Sequence, residues 1–406
     1  MSEQPNAPPA SNRWLTRGVL GVGLASLFAD WGHEAATAIL PAFLASLGAP
    51  AVALGIIEGV ADGISSFAKL AGGWIADRPA WRRPAGIIGY FITGLSTFAY
   101  AFAQSWPFVL VARALGWAGR GGRGPSRDTL LADAVAPSFA GRAFGFERAM
   151  DTAGAVLGPL SATALIGVLG ARGLLKWTLL PGLAAALTFA LLAPSCKRRD
   201  GHIHAGFSAN LRRLPRVYWH FLLGVFVHGV GDFAPTLLIL RASQILTPQF
   251  GVVRAAAISV GLYTFHNFIN AAWAYPAGVL GDRTSRRGFL ALGYLVAVAM
   301  NAGFIFAPPT ISALAVLFAL SGIHIGFKQA LEKSLAAELM PAEVRGSGFG
   351  VLATLNGIGD LVSSVAVGAL WSSVSPTAGF AYAGILTLSG ALLIYFFTGR
   401  NPSITM

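Results

Sequence analysis

Residues 277–287 read AGVLGDRTSRR, and residues 72–83 read GGWIADRPAWRR. Each holds G-x-x-x-D-R and then an arginine pair, and the two stand roughly half the chain apart, the mark of an internal repeat. The repeat extends outward from them. Phe28 lies six residues before Glu34, and Phe226 six before Asp232. Pro137 is followed by Arg142, Gly145 and Phe146, as Pro341 is by Arg345, Gly348 and Phe349. Matches spread over this length divide the chain into two similar halves rather than marking one duplicated loop.

The composition says what the halves are made of. The chain is 55% hydrophobic and only 11% charged over 406 residues, and its mean hydropathy of +0.64 is too apolar for a soluble domain of that size. Fifty glycines suit helices that approach closely inside a bilayer. A net charge of +12 would point to nucleic acid in a soluble protein; here it reads as basic loops on one side of a membrane. The single Cys196 leaves neither a disulfide framework nor a cysteine metal cluster. The polar, proline-rich start, MSEQPNAPPASNRW, lacks the layout of a cleavable signal peptide.

A span needs roughly 20 mostly apolar residues, and about twelve such stretches follow one another. They are expected near 18–47, 51–77, 84–104, 107–133, 139–168, 172–194, 217–246, 252–281, 287–307, 309–339, 342–373 and 376–398. This predicts an all-α polytopic membrane protein with twelve transmembrane helices in two pseudo-symmetric six-helix bundles, 18–194 and 217–398. A linker at 195–216 and tails at 1–17 and 399–406 complete the expected organisation. The loops holding Arg78, Arg82 and Arg83, then Arg142, the 197–216 cluster, Arg283, Arg286 and Arg287, and Arg345 alternate with loops that are poor in basic residues. The basic set is therefore assigned to the cytoplasm, with both termini, in a bacterial-type inner membrane.

These residues resemble the major facilitator superfamily over about 18–398. Its loop motif corresponds to Gly278, Asp282 and Arg283 with the following arginine pair, Ser285 standing where the loop glycine is usual, and in the other half to Gly73, Asp77 and Arg78, where the loop carries one extra residue and no glycine. The fifth span, GFERAMDTAGAVLGPL, is similar to the family's antiporter motif through Gly145, Gly154, Gly158 and Pro159, although Ala162-Thr163 stands where a glycine pair is usual. The resemblance implies a secondary active transporter working by alternating access, an efflux bias, and a cytoplasmic gate built from both D-R loops together with Arg127.

Ionisable groups inside spans are expensive and mark pathways. Asp30 and Glu34 stand i, i+4 beside His33; Glu58 and Asp62 follow on the second span; Glu147 and Asp151 stand i, i+4 on the fifth, and His228 and Asp232 on the seventh. His266, Lys328 and Asp360 add polarity on the eighth, tenth and eleventh. In GRGGRGPSRDTLLAD (119–133), Arg120, Arg123 and Arg127, with Arg113 upstream, fall in an arc of roughly 80° on a helix, so the stripe faces protein or water. Three roles stay open for it: pairing with acids, holding an anionic cargo with the guanidinium fork, or tuning a coupling carboxylate. The substrate and proton path is expected to draw on all of these acids and histidines with Arg113, Arg120 and Lys328, and Glu34 is favoured as the proton carrier. The histidines are scattered over separate helices without ligand spacing, so no metal site is expected. No nucleophile–His–acid set or G-x-x-x-x-G-K-[ST] loop is present to favour an enzyme or an ATP-driven pump. The expected partners are a small-molecule substrate, protons and the lipid bilayer. No cofactor or nucleic acid is expected, and the expected state is a monomer. The leading reading is proton-coupled efflux of a small organic molecule. The alternatives are proton-coupled uptake of an anionic metabolite and a non-transporting sensor on the same fold.

Overall fold

The computed structural model describes residues 14–49, 51–194 and 206–398. Most of the expected tails and of the linker lies outside them. The described residues form thirteen α-helices and no strand. In the first half these are α1 (Arg17–Ser46), α2 (Ala51–Ala76), α3 (Pro79–Ala99), α4 (Trp106–Asp133), α5 (Ala140–Trp177) and α6 (Leu179–Leu192). A short α7 (Phe207–Arg212) precedes the second half, which comprises α8 (Arg216–Gly229), α9 (Pro235–Arg283), α10 (Arg286–Ile305), α11 (Ile311–Leu339), α12 (Arg345–Ser373) and α13 (Pro376–Phe397).

Twelve spans emerge from these helices because two of them are bent. α5 turns at Gly170 (φ 65°), so its last residues join α6 as the sixth span. α9 turns at Gly251 (φ 72°), which separates the seventh span from the eighth. Positive φ costs glycine nothing, and a side chain there would be strained. The seventh span is also interrupted. α8 stops at Gly229 and α9 starts at Pro235, leaving Asp232 in the unwound stretch between them. Pro235 lacks an N–H to donate and pushes the preceding residue out of helical geometry, so the break follows from the sequence GDFAP (231–235).

In the first half α1 packs on α5 and α6, and α4 on α2 and α3; in the second, α11 packs on α9 and α10, and α13 on α8 and α10. The halves meet where α2 crosses α12 and α5 crosses α9. Large apolar side chains such as Leu191, Phe268 and Phe396 stay exposed, as a surface facing lipid tails requires. α10, α11 and α13 are apolar enough to cross a membrane on length and composition alone. α1 and α4 fall short of that measure because they carry the charges that build the interior.

Candidate functional site

The two D-R loops form matched clasps at the arginine-rich end. Asp77 accepts from the Ser347 backbone N–H at 3.0 Å and from the Ser347 hydroxyl. Asp282 accepts from the backbone N–H groups of Gly141 and Arg142, both at 2.8 Å. Each carboxylate thus sits on the first turn of a helix from the other half, α12 or α5, where unpaired N–H groups and the helix dipole favour negative charge. Glycine permits the approach: a Cβ on Gly73 would lie 2.8 Å from the Gly346 carbonyl oxygen, and one on Gly141 would lie 2.5 Å from that of Gly278.

The motif arginines that enter the clasps are not the ones next to the aspartates. Arg82 donates to Asp133 at 2.7 Å and to the Ala76 carbonyl. Arg286 donates to Asp282 and Glu338, each at 2.8 Å, and to the Pro137 carbonyl. Arg78 instead lies over the Trp74 ring at 4.0 Å, and Arg283 is exposed. The reason is helical phase. Arg82 and Arg286 occupy the first turns of α3 and α10, which fold back over the aspartates, whereas Arg78 and Arg283 sit at the corner itself. Two further ion pairs cross between the halves: Lys333 to Asp128 at 3.0 Å and Arg345 to Asp133 at 2.5 Å. Asn210 of α7 donates to Asp77 at 2.7 Å. Burial pushes the Asp77 carboxyl above its ordinary range, against the pull of the Ser347 and Asn210 bonds.

Deeper in the first half, the arginine stripe of α4 fans out to separate partners. Arg120 pairs with Asp30 of α1 at 2.9 Å. Arg123 donates to the Thr93 hydroxyl at 2.8 Å and lies over the Tyr90 ring at 4.0 Å. Arg127, expected at the gate, bonds wholly within its own half, to Glu147 at 2.7 Å, Asp128 at 3.0 Å and Ser26 at 3.2 Å. On α4 it is the neighbouring Asp128 that pairs across the halves, with Lys333. Arg113 is buried beside Trp117, which also meets His33 edge-on at 5.6 Å. Arg148 pairs with Asp151 at 2.5 Å. Glu34 is half-buried on α1, facing Gly158.

The second half holds its own cluster around the break in the seventh span. Lys328 of α11 donates to Asp232 and lies 3.9 Å from Asp360. His228 Nε2 and His324 Nε2 stand 3.6 and 3.7 Å from the Asp232 carboxylate. Tyr294 donates to Glu332 at 2.5 Å, and Asn356 donates to the other Glu332 oxygen at 2.9 Å. A cavity of about 320 Å³ opens beside Asp232, His324, Lys328, Asp360 and Asn301. His266 lies apart, stacked on Tyr263 at 5.5 Å.

The candidate residues therefore divide into two clusters, one in each half, with the clasps at one end. Glu58 and Asp62 lie on α2 with side chains outside the described residues. Of the antiporter-like glycines, Gly154 and Gly158 seat α5 against α1, where added Cβ atoms would meet the Trp31 nitrogen at 3.0 Å and the Glu34 side chain at 2.6 Å. Gly145 faces Ala274 across the halves, and Pro159 lies inside α5. Sequence reasoning passed over Ser26, Tyr90, Thr93, Tyr294 and Ser347, whose partners are on distant helices. Asp133 and Glu338 had a legible signal, because they close the fourth and tenth spans at repeat-related positions.

Two six-helix bundles clasped at one end around a charged interior make the repeat-built architecture found among membrane carriers. The chain matches the family model of the Major Facilitator Superfamily over residues 22–359 and 221–405, and it belongs to that family. It is thus a multi-pass membrane protein and a secondary transporter. An uncharacterised MFS-type transporter of Methanocaldococcus jannaschii is 27% identical over 390 residues, covering 95% of this chain and 96% of its own. Among solved structures, the E. coli fucose:proton symporter superposes with a TM-score of 0.76 at 16% identity, covering 95% of this chain and all of its own. The human organic anion transporter MFSD10 superposes with a TM-score of 0.71 at 17% identity, covering 93% and 99%. At these identities the structural likeness concerns the fold.

Proposed function

We propose that the protein exports a small organic molecule in exchange for protons, with its basic end and both termini in the cytoplasm. The basic loops support that orientation, and the clasped basic end then makes this an outward-facing state. The glycine pattern of α5 supports export through its likeness to the antiporter motif. The observation that carries the coupling is the Asp30–Arg120 pair. It lies inside one half, so the rocking of the halves does not break it, and only protonation or cargo can. Asp30 is nearly sealed, whereas the Arg120 side chain is a quarter exposed. A proton on Asp30 releases the guanidinium, and its loss calls the guanidinium back, so one cation alternates between an internal carboxylate and the transport path. Asp30 takes this role ahead of Glu34 because its carboxylate lies 2.9 Å from the Arg120 guanidinium.

The test uses everted membrane vesicles with an acidic interior, probed with a rhodamine-class cation and a fluorescein-class anion. The expected result is proton-driven accumulation of a probe by the parent protein, lost in Asp30→Asn while probe binding to the purified variant persists. Accumulation indifferent to the proton gradient, or an Asp30→Asn variant that still follows it, removes the coupling assignment.

A further inference from the structure

His228, Asp232 and His324 offer three ligand atoms that all lie within 4.8 Å of one another. Both imidazoles are buried, His228 at 0% and His324 at 2% exposed. Neither has a conventional partner at the nitrogen facing Asp232: His228 Nε2 and His324 Nε2 make no hydrogen bond, and their 3.6 and 3.7 Å separations from the carboxylate exceed a real one. Buried polar nitrogens left in this way are costly and call for an explanation.

The arrangement around them answers the call. His324 Nδ1 lies 2.9 Å from the Gly293 carbonyl, which can only accept, so Nδ1 carries a proton. In the neutral ring, Nε2 then presents a bare lone pair to a carboxylate. Two lone pairs facing one another repel unless a cation sits between them. Fixing one imidazole nitrogen on a backbone carbonyl is also how proteins orient a metal-bound histidine. With metal–ligand distances of about 2.0–2.1 Å, a nitrogen and an oxygen on one ion at an angle near 120° stand about 3.6 Å apart, the spacing of His228 from one Asp232 oxygen and of His324 from the other, so an ion between them would be held by both carboxylate oxygens. His228 is held in place by stacking on Tyr294, with ring centroids 3.7 Å apart. Asp232 lies in the broken span at the C-terminal end of α8, where the helix dipole favours positive charge. The adjacent cavity of about 320 Å³ leaves room for waters to complete a coordination sphere.

We infer that His228, Asp232 and His324 form a binding site for a divalent first-row transition-metal ion of the zinc or cobalt type. Imidazole with carboxylate suits these ions, whereas magnesium, calcium and sodium prefer all-oxygen sites. Lys328 sets the character of the site. Its ammonium already holds Asp232, so an arriving ion competes with it, and Asp360, 3.9 Å away, offers the displaced ammonium a second carboxylate. The ion is exchangeable rather than locked in, and its arrival moves Lys328 toward the cavity. None of this depends on the direction or the proton coupling proposed above.

The experiment titrates Co²⁺ into the purified full-length protein, following its ligand-field absorption, with Zn²⁺ competition and thermal stabilisation as second readouts. The expected result is one Co²⁺ per chain with a tetrahedral-type spectrum, displaced by Zn²⁺ and untouched by excess Mg²⁺ or Na⁺. His228→Ala and His324→Ala should each weaken binding by more than about tenfold. Lys328→Met should tighten it by about tenfold or more, because removing a competing unit charge favours the ion; such a gain cannot arise from misfolding. Co²⁺ binding that survives both histidine substitutions, or a Lys328→Met variant that binds no more tightly than the parent, overturns the assignment.

Discussion

Replacing Asp282 by asparagine tests the clasp at its most buried point, since the carboxylate is 0% exposed. Only bonds that cross between the halves can bias the closed state. The Arg286 contacts to Asp282 lie within one half and persist when the halves part, so they cancel. The 2.8 Å bonds from the Gly141 and Arg142 N–H groups cross and do not cancel. A hydrogen bond to a charged acceptor contributes about 1.5–3 kcal/mol, and asparagine satisfies at most one of the two donors while turning its own NH₂ toward the other. The closed state should lose about 3 kcal/mol, roughly 150-fold in its equilibrium with the open state. A population about 99% closed would then fall to about 40%. Spin labels at Ser46 and Ser373, at the far ends of α1 and α12, read this as a distance, with Cys196 replaced. Opening the clasp brings those ends together, so a shorter population should appear in Asp282→Asn. A distance distribution identical to the parent's, in a variant of normal helicity, refutes the clasp as the element that holds the halves.

Three other outcomes follow from the same geometry. Gly346→Val places a Cβ 2.6 Å from the Gly73 carbonyl oxygen, and it should open the α2–α12 crossing without any change of charge, which the same labels would register. Arg120→Ala strands the buried Asp30 carboxylate and should cost about 3–5 kcal/mol of stability, read as a lower melting temperature in detergent; adding Asp30→Asn should recover most of it. At the Asp77 clasp, burial raises the carboxyl's pKa in the closed state above its value when solvated. Its protonated form therefore favours closure, an effect complete below the ordinary carboxylate range and lost as pH climbs through the raised value. Acidification should enrich the closed distance, and Asp77→Asn should remove this part of the pH response.

The spans, the twofold repeat and the clasping aspartates were legible in the sequence because each rests on local information: hydrophobic length, recurrence and a short motif. The seven residues from 229 to 235 also announced their break through Gly231 and Pro235, yet the run of apolar residues on both sides masked it. What the sequence could not supply was partnership. Arg120 and Arg127 share a stripe, but one meets Asp30 and the other Glu147, a choice set by which helices flank α4. Arg82 and Arg286 displaced Arg78 and Arg283 because helical phase after a corner decides which side chain turns inward. His228 and His324 lie on helices distant in the chain, so no ligand spacing could bring them together on paper.

The dispersal of the α4 arginines among neighbouring helices also bears on how the chain is made. A lone helix with an arginine at its centre inserts at a cost of about 2.5–3.5 kcal/mol for that residue alone, and α4 carries Arg113, Arg120, Arg123 and Arg127. Asp30 has already been synthesised when α4 emerges, but Glu147 has not. During synthesis, α4 is therefore expected to pack on α2 and α3, with Arg120 against Asp30 of α1, before α5 adds Glu147 to the Asp128 that already pairs with Arg127. The first half enters the bilayer as a group of helices rather than one at a time.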